Sequence, residues 1–244
     1  TVNQNPFFNL YDKEYPFTLM NKHLIDNRLT KIDDTYYLIT PVGNWDYSSP
    51  CGVLGKTKDF KTYEVIDIIT APPNRGASLF PEKINGKYYK LDRPGSGTGN
   101  FGDIWISSSP DLIHWGSYRP VIRPYADWNS TKMGPTPPIK TDKGWLVIIH
   151  GCTISCGSYQ YYIGAMLLDL NDPSKVTGKT YSYLLRPDAD YEISGVTDNV
   201  VFPCGALADF KTDTLKLYYG AADTRICLAE GSIKDIITAC LEEI

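Results

Sequence analysis

The sequence of 244 residues predicts an all-β fold of the β-propeller class, in which four blades are evident. The first observation is an internal repeat, in which a polar turn is followed by a strand rich in aromatic and aliphatic residues. The second is a further strand after each of these hairpins. The third is that no 3.6-residue periodicity is sustained before residue 232, which disfavours a helical solenoid. The repeated hairpin phrases lie at residues 32–39, 84–91, 140–149 and 209–219.

Each repeat predicts three strands and a short tail. The Asp, Asn and Gly residues at the hairpin turns supply the backbone conformations that tight turns need. The third strands are expected at residues 52–55, 103–107, 162–168 and 225–229. A helix is expected only over Ser232–Glu243, where Ile233, Ile236, Ile237 and Leu241 share one face.

Composition and charge exclude several classes of function. The chain is 42% hydrophobic and 13% aromatic, which suffices for a large core, and its net charge of −4 includes no basic run typical of nucleic-acid binding. Its longest apolar stretches are only strand-length, and residues 1–10 lack the pattern of a secretion signal. Six scattered cysteines favour reduced thiols in a cytoplasmic protein. Cys152 and Cys156 lack a second ligand pair, so no metal site and no cofactor is expected.

The propeller architecture predicts where functional residues lie. Each blade contributes its innermost strand, and the loop before it, to one mouth of the central channel. Charged or amide side chains occupy this position in all four repeats. They lie in Asp26–Thr30, in Asn74–Glu82 followed by Arg93, in Lys132–Pro138 followed by His150, and in Asp198–Pro203 followed by Asp223.

Six phrases in order along the chain resemble glycoside hydrolase family 130, the β-mannoside phosphorylases. They are residues 26–30, 79–88, 109–116, 134–140, 199–203 and 218–224. The resemblance implies a five-bladed propeller in a single domain over residues 1–244. Because only about twenty residues precede the first phrase and residues 5–8 do not form an obvious blade, it is open whether an N-terminal blade is lacking.

The resemblance also implies an activity, which is inverting phosphorolysis of β-mannosides to α-mannose 1-phosphate. Asp26 matches the general acid, whose proton is thought to pass through a hydroxyl of the mannose. The phosphate-binding positions match Arg75, Arg93, Lys132 and His150, including the spacing of eighteen residues between the two arginines. The sugar-binding positions match Arg28, Asn199 and Asp223.

The chemistry of these residues favours phosphate as the second substrate. Arginine forks bind phosphate bidentately, and phosphate needs a cationic cradle rather than a second carboxylate to activate it. Two alternatives stay open: a β-mannosidase on the same scaffold and a non-catalytic mannoside-binding propeller. The expected partners are small molecules only, with inorganic phosphate as co-substrate, and no nucleic acid or membrane. The acceptor (a mannooligosaccharide, glucose or N-acetylglucosamine) and a homo-oligomeric state are left open.

Overall fold

The computed structural model describes residues 26–43, 50–95 and 102–242, so the segment at residues 5–8 lies outside the described residues. Within these ranges the strands form four antiparallel sheets, which are the four predicted blades. The all-β, four-bladed arrangement and the C-terminal helix confirm the prediction from the repeats.

Blades 1 and 2 each contain four strands in sequence order. Each predicted hairpin turn contains a residue in the left-handed region, Asp33 (φ 54°) in blade 1 and Asn85 (φ 50°) in blade 2. The strands of blade 1 are β1 (Arg28–Ile32), β2 (Thr35–Val42), β3 (Cys51–Thr57) and β4 (Glu64–Ile68). Those of blade 2 are β5 (Ser78–Leu79), β6 (Tyr88–Asp92), β7 (Ile104–Ser109) and β8 (Gly116–Ile122).

Blade 3 is the largest sheet among the described residues, because two short strands both pair with its long central strand. Its strands are β9 (Lys132–Pro135), β10 (Ile139–Lys140), β11 (Trp145–Ser155), β12 (Ser158–Leu168) and β13 (Val176–Lys179). The hairpin of β11 and β12 pairs over its full length, from Trp145 opposite Leu168 to Ser155 opposite Ser158. Its outer end therefore projects beyond the strands that flank it.

Blade 4 has three strands in the described part of the chain. A one-turn helix precedes it, and the amphipathic C-terminal helix follows it. These elements are α1 (Asp190–Ile193), β14 (Val201–Asp209), β15 (Thr214–Ala221), β16 (Arg225–Ser232) and α2 (Ile233–Glu242). The buried side chains of α2 are Ile233, Ile237 and Cys240, and Ile236 is partly buried beside them. Of the predicted apolar face, Leu241 is exposed.

Neighbouring blades pack face to face through apolar clusters. One cluster joins blades 1 and 2, a second joins blades 2 and 3, and a third joins blades 3 and 4 with α2. At the centre of the second, Phe80 meets Trp145 edge to face with ring centroids 5.2 Å apart. Both residues are at most 1% exposed, so each contributes about 2 to 3 kcal/mol of burial free energy.

Side chains of the innermost strands tie the four blades together around the channel. The Thr30 hydroxyl of β1 donates to the Leu79 carbonyl of β5, at 3.2 Å. The Ser78 hydroxyl of β5 donates to the Pro135 carbonyl of β9, at 3.1 Å. Arg28 of β1 reaches both β9 and the Phe202 ring of β14. The loops next to these strands are thereby held at one mouth, as the architecture predicts.

Two further observations concern the chain as a whole. No helix in the described ranges is long and apolar enough to cross a membrane. All six cysteines lie in these ranges and none of them forms a disulfide, and Cys51, Cys152 and Cys240 are buried.

Candidate functional site

A cavity of about 150 Å³ opens at this mouth, where loops of all four blades converge. Five of the eight residues predicted for the site line it. They are Asp26, Arg75, Arg93, Lys132 and Asp223. The other three, Arg28, His150 and Asn199, do not line this cavity. The remaining lining residues are Tyr161, Thr197, Val200 and Phe202.

Asp26 is fixed at the cavity by contacts from two arginines. It lies just before β1 with a φ of 57°, in the left-handed region that Asp tolerates better than most residues. The Arg75 Nε donates to Asp26 Oδ2 at 2.6 Å, and Arg75 Nη2 contacts the same oxygen. Arg28 Nη1 donates to the Asp26 backbone carbonyl at 3.0 Å. The carboxylate is therefore held by one arginine and its backbone by another.

Arg75 and Arg93 face each other across the start of blade 2, which explains their spacing. The Arg75 amide donates to the Arg93 carbonyl at 3.3 Å, and Arg93 Nε donates to the Arg75 carbonyl at 3.0 Å. The desolvation of Arg93, together with the neighbouring charge of Arg75, lowers the pKa of Arg93 to about 10. The Arg93 guanidinium is thus cationic at neutral pH, and the side chains of both arginines line the same small cavity.

A buried ion pair lies directly behind these arginines. Lys90 and Asp92 of β6 are at most 1% exposed, and Lys90 Nζ lies 2.5 Å from Asp92 Oδ1. Asp92 also accepts hydrogen bonds from the Ser107 hydroxyl at 2.7 Å and from the side-chain amide of Asn74 at 3.3 Å. Asn74 Oδ1 in turn accepts a hydrogen bond from the Arg93 backbone amide at 3.3 Å. The pair therefore connects the core of blade 2 to the backbone that carries the arginines.

Lys132 reaches the cavity from blade 3 through strand register. Cys152 of β11 lies opposite Lys132 on one side and Tyr161 of β12 on the other. Lys132 Nζ lies 5.1 Å from the centroid of the Tyr161 ring and 4.9 Å from that of Tyr159. Burial, and then the charge of Arg93, lowers the pKa of Lys132 to about 8. The lysine is therefore mostly protonated at neutral pH and titrates just above it.

His150 lies behind the lining residues, 1% exposed, with its ring 4.4 Å from Phe202 and 6.1 Å from Tyr161 between centroids. Its ring fits because residue 134 is glycine, where an added Cβ would lie 2.2 Å from His150 Cε1. Burial, followed by the charges of Arg93, Arg28 and Lys132, holds the pKa of His150 well below its usual range. It is therefore a neutral imidazole at pH 7.

Polar atoms that are buried without a partner cluster around this site. In the described part of the chain they include Asn27 Oδ1, Arg28 Nη2 and both ring nitrogens of His150. Such groups cost free energy and are rare in folded proteins. Their concentration next to the cavity is typical of a functional site rather than of a core selected for stability alone.

Blade 4 contributes the residues nearest to solvent. Asp223 lines the cavity with an exposed side chain, and its φ of 51° places it in a tight turn after β15. Asn199 has a φ of 59°, and its carbonyl accepts the Tyr161 amide at 3.0 Å. The backbone of Asn199 thus joins blade 4 to blade 3 beside the cavity.

Sequence reasoning did not predict Tyr161, Thr197, Val200 or Phe202 as lining residues. Phe202 and Val200 lie within a predicted motif. Tyr161 lies outside the predicted motifs, in a strand with several tyrosines, and nothing in the sequence distinguishes it from the others. The alternation of β12 was the available signal, since alternate residues of a strand face opposite sides. It could be used only once the register with Lys132 was known.

The electrostatics of the cavity favour an anion next to a polar neutral group. Three cationic side chains, Arg75, Arg93 and Lys132, line it against two carboxylates. Burial, and after it the repulsion from the neighbouring cations, lowers the pKa values of Arg93 and Lys132. The Tyr161 and Phe202 rings add apolar faces of the kind that suit sugar rings.

Comparison with known proteins places these features in a family. A family model described as β-1,4-mannooligosaccharide phosphorylase, of glycoside hydrolase family 130, matches residues 19–242. The chain is 43% identical to a β-1,2-mannobiose phosphorylase of Listeria innocua over 97% of this chain and 64% of that protein. It is 40% identical to a β-1,4-mannooligosaccharide phosphorylase of Ruminococcus albus over 87% of this chain and 63% of that one.

A solved structure shows the same fold. The β-1,2-mannobiose complex of the Listeria innocua phosphorylase superposes with a TM-score of 0.87 at 39% identity, covering 98% of this chain and 65% of that one. The chain therefore spans just under two thirds of the length of these relatives.

The buried Lys90–Asp92 pair generates a stability prediction. Replacing Asp92 with Asn removes the counter-charge and leaves an uncompensated buried lysine, so Asp92→Asn should lower the free energy of unfolding by about 3 kcal/mol or more. Denaturant titration of both proteins measures the difference.

The matched control is Asp34→Asn, which breaks the exposed Lys58–Asp34 pair at 3.1 Å. It should leave stability nearly unchanged. Equal small effects of the two substitutions would contradict a structural role for the buried pair.

Proposed function

The chain belongs to glycoside hydrolase family 130, and from this premise we propose that it catalyses the phosphorolysis of β-mannosides. The observation that carries the proposal is the cavity in which Asp26 lies beside the cationic side chains of Arg75, Arg93 and Lys132. This combination supplies a carboxyl group for proton transfer and a cradle for inorganic phosphate in one place.

The proposed reaction is a single displacement with inversion. Phosphate, held by Arg75, Arg93 and Lys132, attacks the anomeric carbon of the terminal mannose from the face opposite the leaving oxygen. The glycosidic C–O bond breaks, and the leaving oxygen takes a proton that originates on Asp26 and passes through a mannose hydroxyl. The products are α-mannose 1-phosphate and the shortened acceptor.

Arg75 links phosphate binding to the proton donor in this proposal. Its fork is turned to the Asp26 carboxylate in this structure. Phosphate competes for the same fork, because it offers two oxygens in the geometry that guanidinium groups prefer. When Arg75 turns to phosphate, it releases the Asp26 carboxyl group, which can then take part in the proton transfer.

The other predicted residues take supporting roles. Asp223, exposed at the cavity edge, is proposed to hold mannose hydroxyls, and Asn199 and Arg28 are proposed to bind or orient the same sugar. His150 is proposed to contribute to phosphate binding as a neutral N–H donor, since its buried ring is not cationic.

Hydrolysis is the second candidate, because Asp223 gives the cavity a further carboxylate that could activate water. The three cations argue against it, since a water nucleophile has no need of them. The acceptor and linkage are best approached through the relatives, which are named for β-1,2-mannobiose and for β-1,4-mannooligosaccharides. Substrates of both linkages therefore belong in the assay.

We also propose that a fifth blade covers the outer face of blade 4 in the whole protein. Four apolar side chains of this blade are 42% to 87% exposed, namely Leu207, Tyr218, Ile226 and Leu228. Strand pairing places them on the face opposite the cluster that joins blade 3. A sheet with such a face normally packs against another layer. A single five-bladed domain that includes residues 1–244 follows from this proposal.

The activity can be tested by product analysis. With β-1,4- or β-1,2-linked mannobiose, the protein should release mannose 1-phosphate only when inorganic phosphate is present. Asp26→Asn should lower kcat by at least about 100-fold, because the variant cannot supply the proton. The control is Asp34→Asn, which removes an exposed carboxylate of the same blade and should retain full activity. Release of free mannose without phosphate dependence would instead show a hydrolase.

Phosphate affinity should depend on the charge of Lys132. Because the pKa of Lys132 is about 8, the lysine is protonated below this pH and loses its charge above it. The KM for phosphate should therefore rise by about tenfold between pH 7 and pH 9. Lys132→Arg keeps its charge over this range and should remove most of the rise. The titration of phosphate itself is common to both proteins, so equal pH profiles would exclude Lys132 as the titrating group.

The fifth blade can be tested by thiol labelling. In a Cys156→Ser background, Ile226→Cys should react rapidly with a thiol reagent in the 244-residue chain. It should be protected in a longer chain that carries the additional blade. Ile154→Cys, in the exposed part of blade 3, is the control and should react in both. Equal reactivity of Ile226→Cys in the two chains would exclude a covering blade at this face.

A further inference from the structure

A second cavity, of about 720 Å³, lies on the other side of the β11–β12 hairpin from the catalytic cavity. We call it the hairpin groove. Its lining residues come from the hairpin, from the turn before β9 and from the segment after β13. They are Ala126, Asp127, Trp128, Ser130, Thr153, Ile154, Ser155, Gln160, Tyr162, Tyr181, Ser182 and Tyr183.

Strand alternation separates the two cavities. The rings of Tyr159 and Tyr161 lie next to Lys132 on the catalytic side of β12. The intervening Gln160 and the following Tyr162 point to the opposite side, where they line the hairpin groove. One hairpin therefore forms a wall of both cavities.

The floor of the groove is closely packed. The indole of Trp128 is 5% exposed and donates from Nε1 to the Tyr181 carbonyl at 2.8 Å. It lies flush against β11 because residue 151 is glycine, where an added Cβ would be 2.4 Å from the ring. Tyr125 contacts both rings edge to face, at 6.0 Å from Trp128 and 5.7 Å from Tyr181. The groove is thus a formed surface of the fold.

The walls combine aromatic faces with uncharged hydrogen-bonding groups. Tyr162 and Tyr183 lie 5.1 Å apart between ring centroids, at 37° to each other. The Tyr162 hydroxyl donates to Gln160 Oε1 at 2.8 Å, which holds the carboxamide at the wall. The hydroxyls of Ser130 and Thr153 form a second polar pair, 2.8 Å apart.

This chemistry selects one class of ligand. Among the described residues that line the groove, none is Lys or Arg and one is acidic, so its lining differs from the phosphate cradle. Two cations contact its tyrosines from outside the lining: Lys179 Nζ lies 4.9 Å from the centroid of the Tyr181 ring, and Arg186 Nη1 donates to the Tyr183 hydroxyl at 3.5 Å. A hydrocarbon would make no use of the hydrogen-bonding capacity that these pairs leave over, such as the two N–H donors of the Gln160 carboxamide. Sugar rings present an apolar C–H face and a rim of hydroxyls, which match the tyrosine faces and the polar groups between them.

We propose that the hairpin groove binds a neutral oligosaccharide, as a binding site separate from the catalytic cavity. The identity of the sugar, a β-linked mannoside chain, rests on the proposed function. The groove would hold a distal part of a long chain, or a second chain, on the outer side of the hairpin. It thereby favours long substrates over disaccharides without taking part in the chemistry.

The test compares long and short ligands in the absence of phosphate. Titration calorimetry with β-1,4- and β-1,2-linked mannohexaose should show that Tyr162→Ala and Tyr183→Ala each weaken binding by about fivefold, the value expected for one aromatic platform. Their kcat/KM for mannobiose should be unchanged. Phe210→Ala removes an exposed ring of blade 4 and should alter neither quantity.

The outcomes separate this inference from the proposed function. If the wild-type protein turns over mannobiose and all variants bind hexaose with equal affinity, the groove is not a sugar-binding site, whereas the proposed phosphorylase activity stands. Groove-dependent binding without phosphorolysis would support the groove and refute the phosphorylase. A change from dimer to monomer in the tyrosine variants, measured by light scattering and with hexaose affinity retained, would show that the groove is an interface between two copies and would overturn the sugar site.

Discussion

The buried guanidinium of Arg28 is the contact on which the geometry of the mouth depends. It is 1% exposed and lies where blades 1, 3 and 4 meet. It donates hydrogen bonds to the backbone carbonyls of Asp26 and Pro135, and its central carbon, Cζ, lies 5.3 Å from the centroid of the Phe202 ring. Burying a cation costs several kcal/mol unless hydrogen bonds offset it, and Arg28 Nη2 has no partner among the described residues. The molecule thus holds Asp26 in place at a cost in stability.

The same balance between function and stability extends through the cavity that Asp26 lines. Arg75, Arg93 and Lys132 are brought together although their charges repel. Burial first, and then this repulsion, lowers the pKa values of Arg93 and Lys132. A polyanion in the cavity relieves it, and Arg75 already shows this preference by pairing with Asp26. The buried Asp92–Lys90 pair and Asn74 hold the backbone of the arginines, so the cradle does not depend on flexible loops for its shape. Preorganised charges of this kind are effective because little reorganisation is needed when the ligand binds.

The sequence was sufficient where local chemistry determines the structure. Asp33 and Asn85 mark their hairpin turns because few other residues tolerate a positive φ, and the four repeats then gave the blades. Arg75 and Arg93 were predicted from the family resemblance, and the hairpin that brings them together explains their spacing. Tyr161 and the Lys90–Asp92 pair were not predicted, since a tyrosine in a strand and a lysine near a turn usually face solvent. Only the register between β9, β11 and β12, and the packing of blade 2, make them part of the site.

Direct binding of phosphate tests the central claim, which is that the cavity is a phosphate cradle. Titration calorimetry with inorganic phosphate alone should give one site per chain in the wild-type protein. Lys132→Met should weaken it at least tenfold, since a charge-assisted contact contributes about 1.5 to 3 kcal/mol. Lys140→Met, which removes an exposed lysine paired with Glu82, should leave it unchanged. The absence of phosphate binding to the wild type, or equal binding by Lys132→Met, would contradict the account.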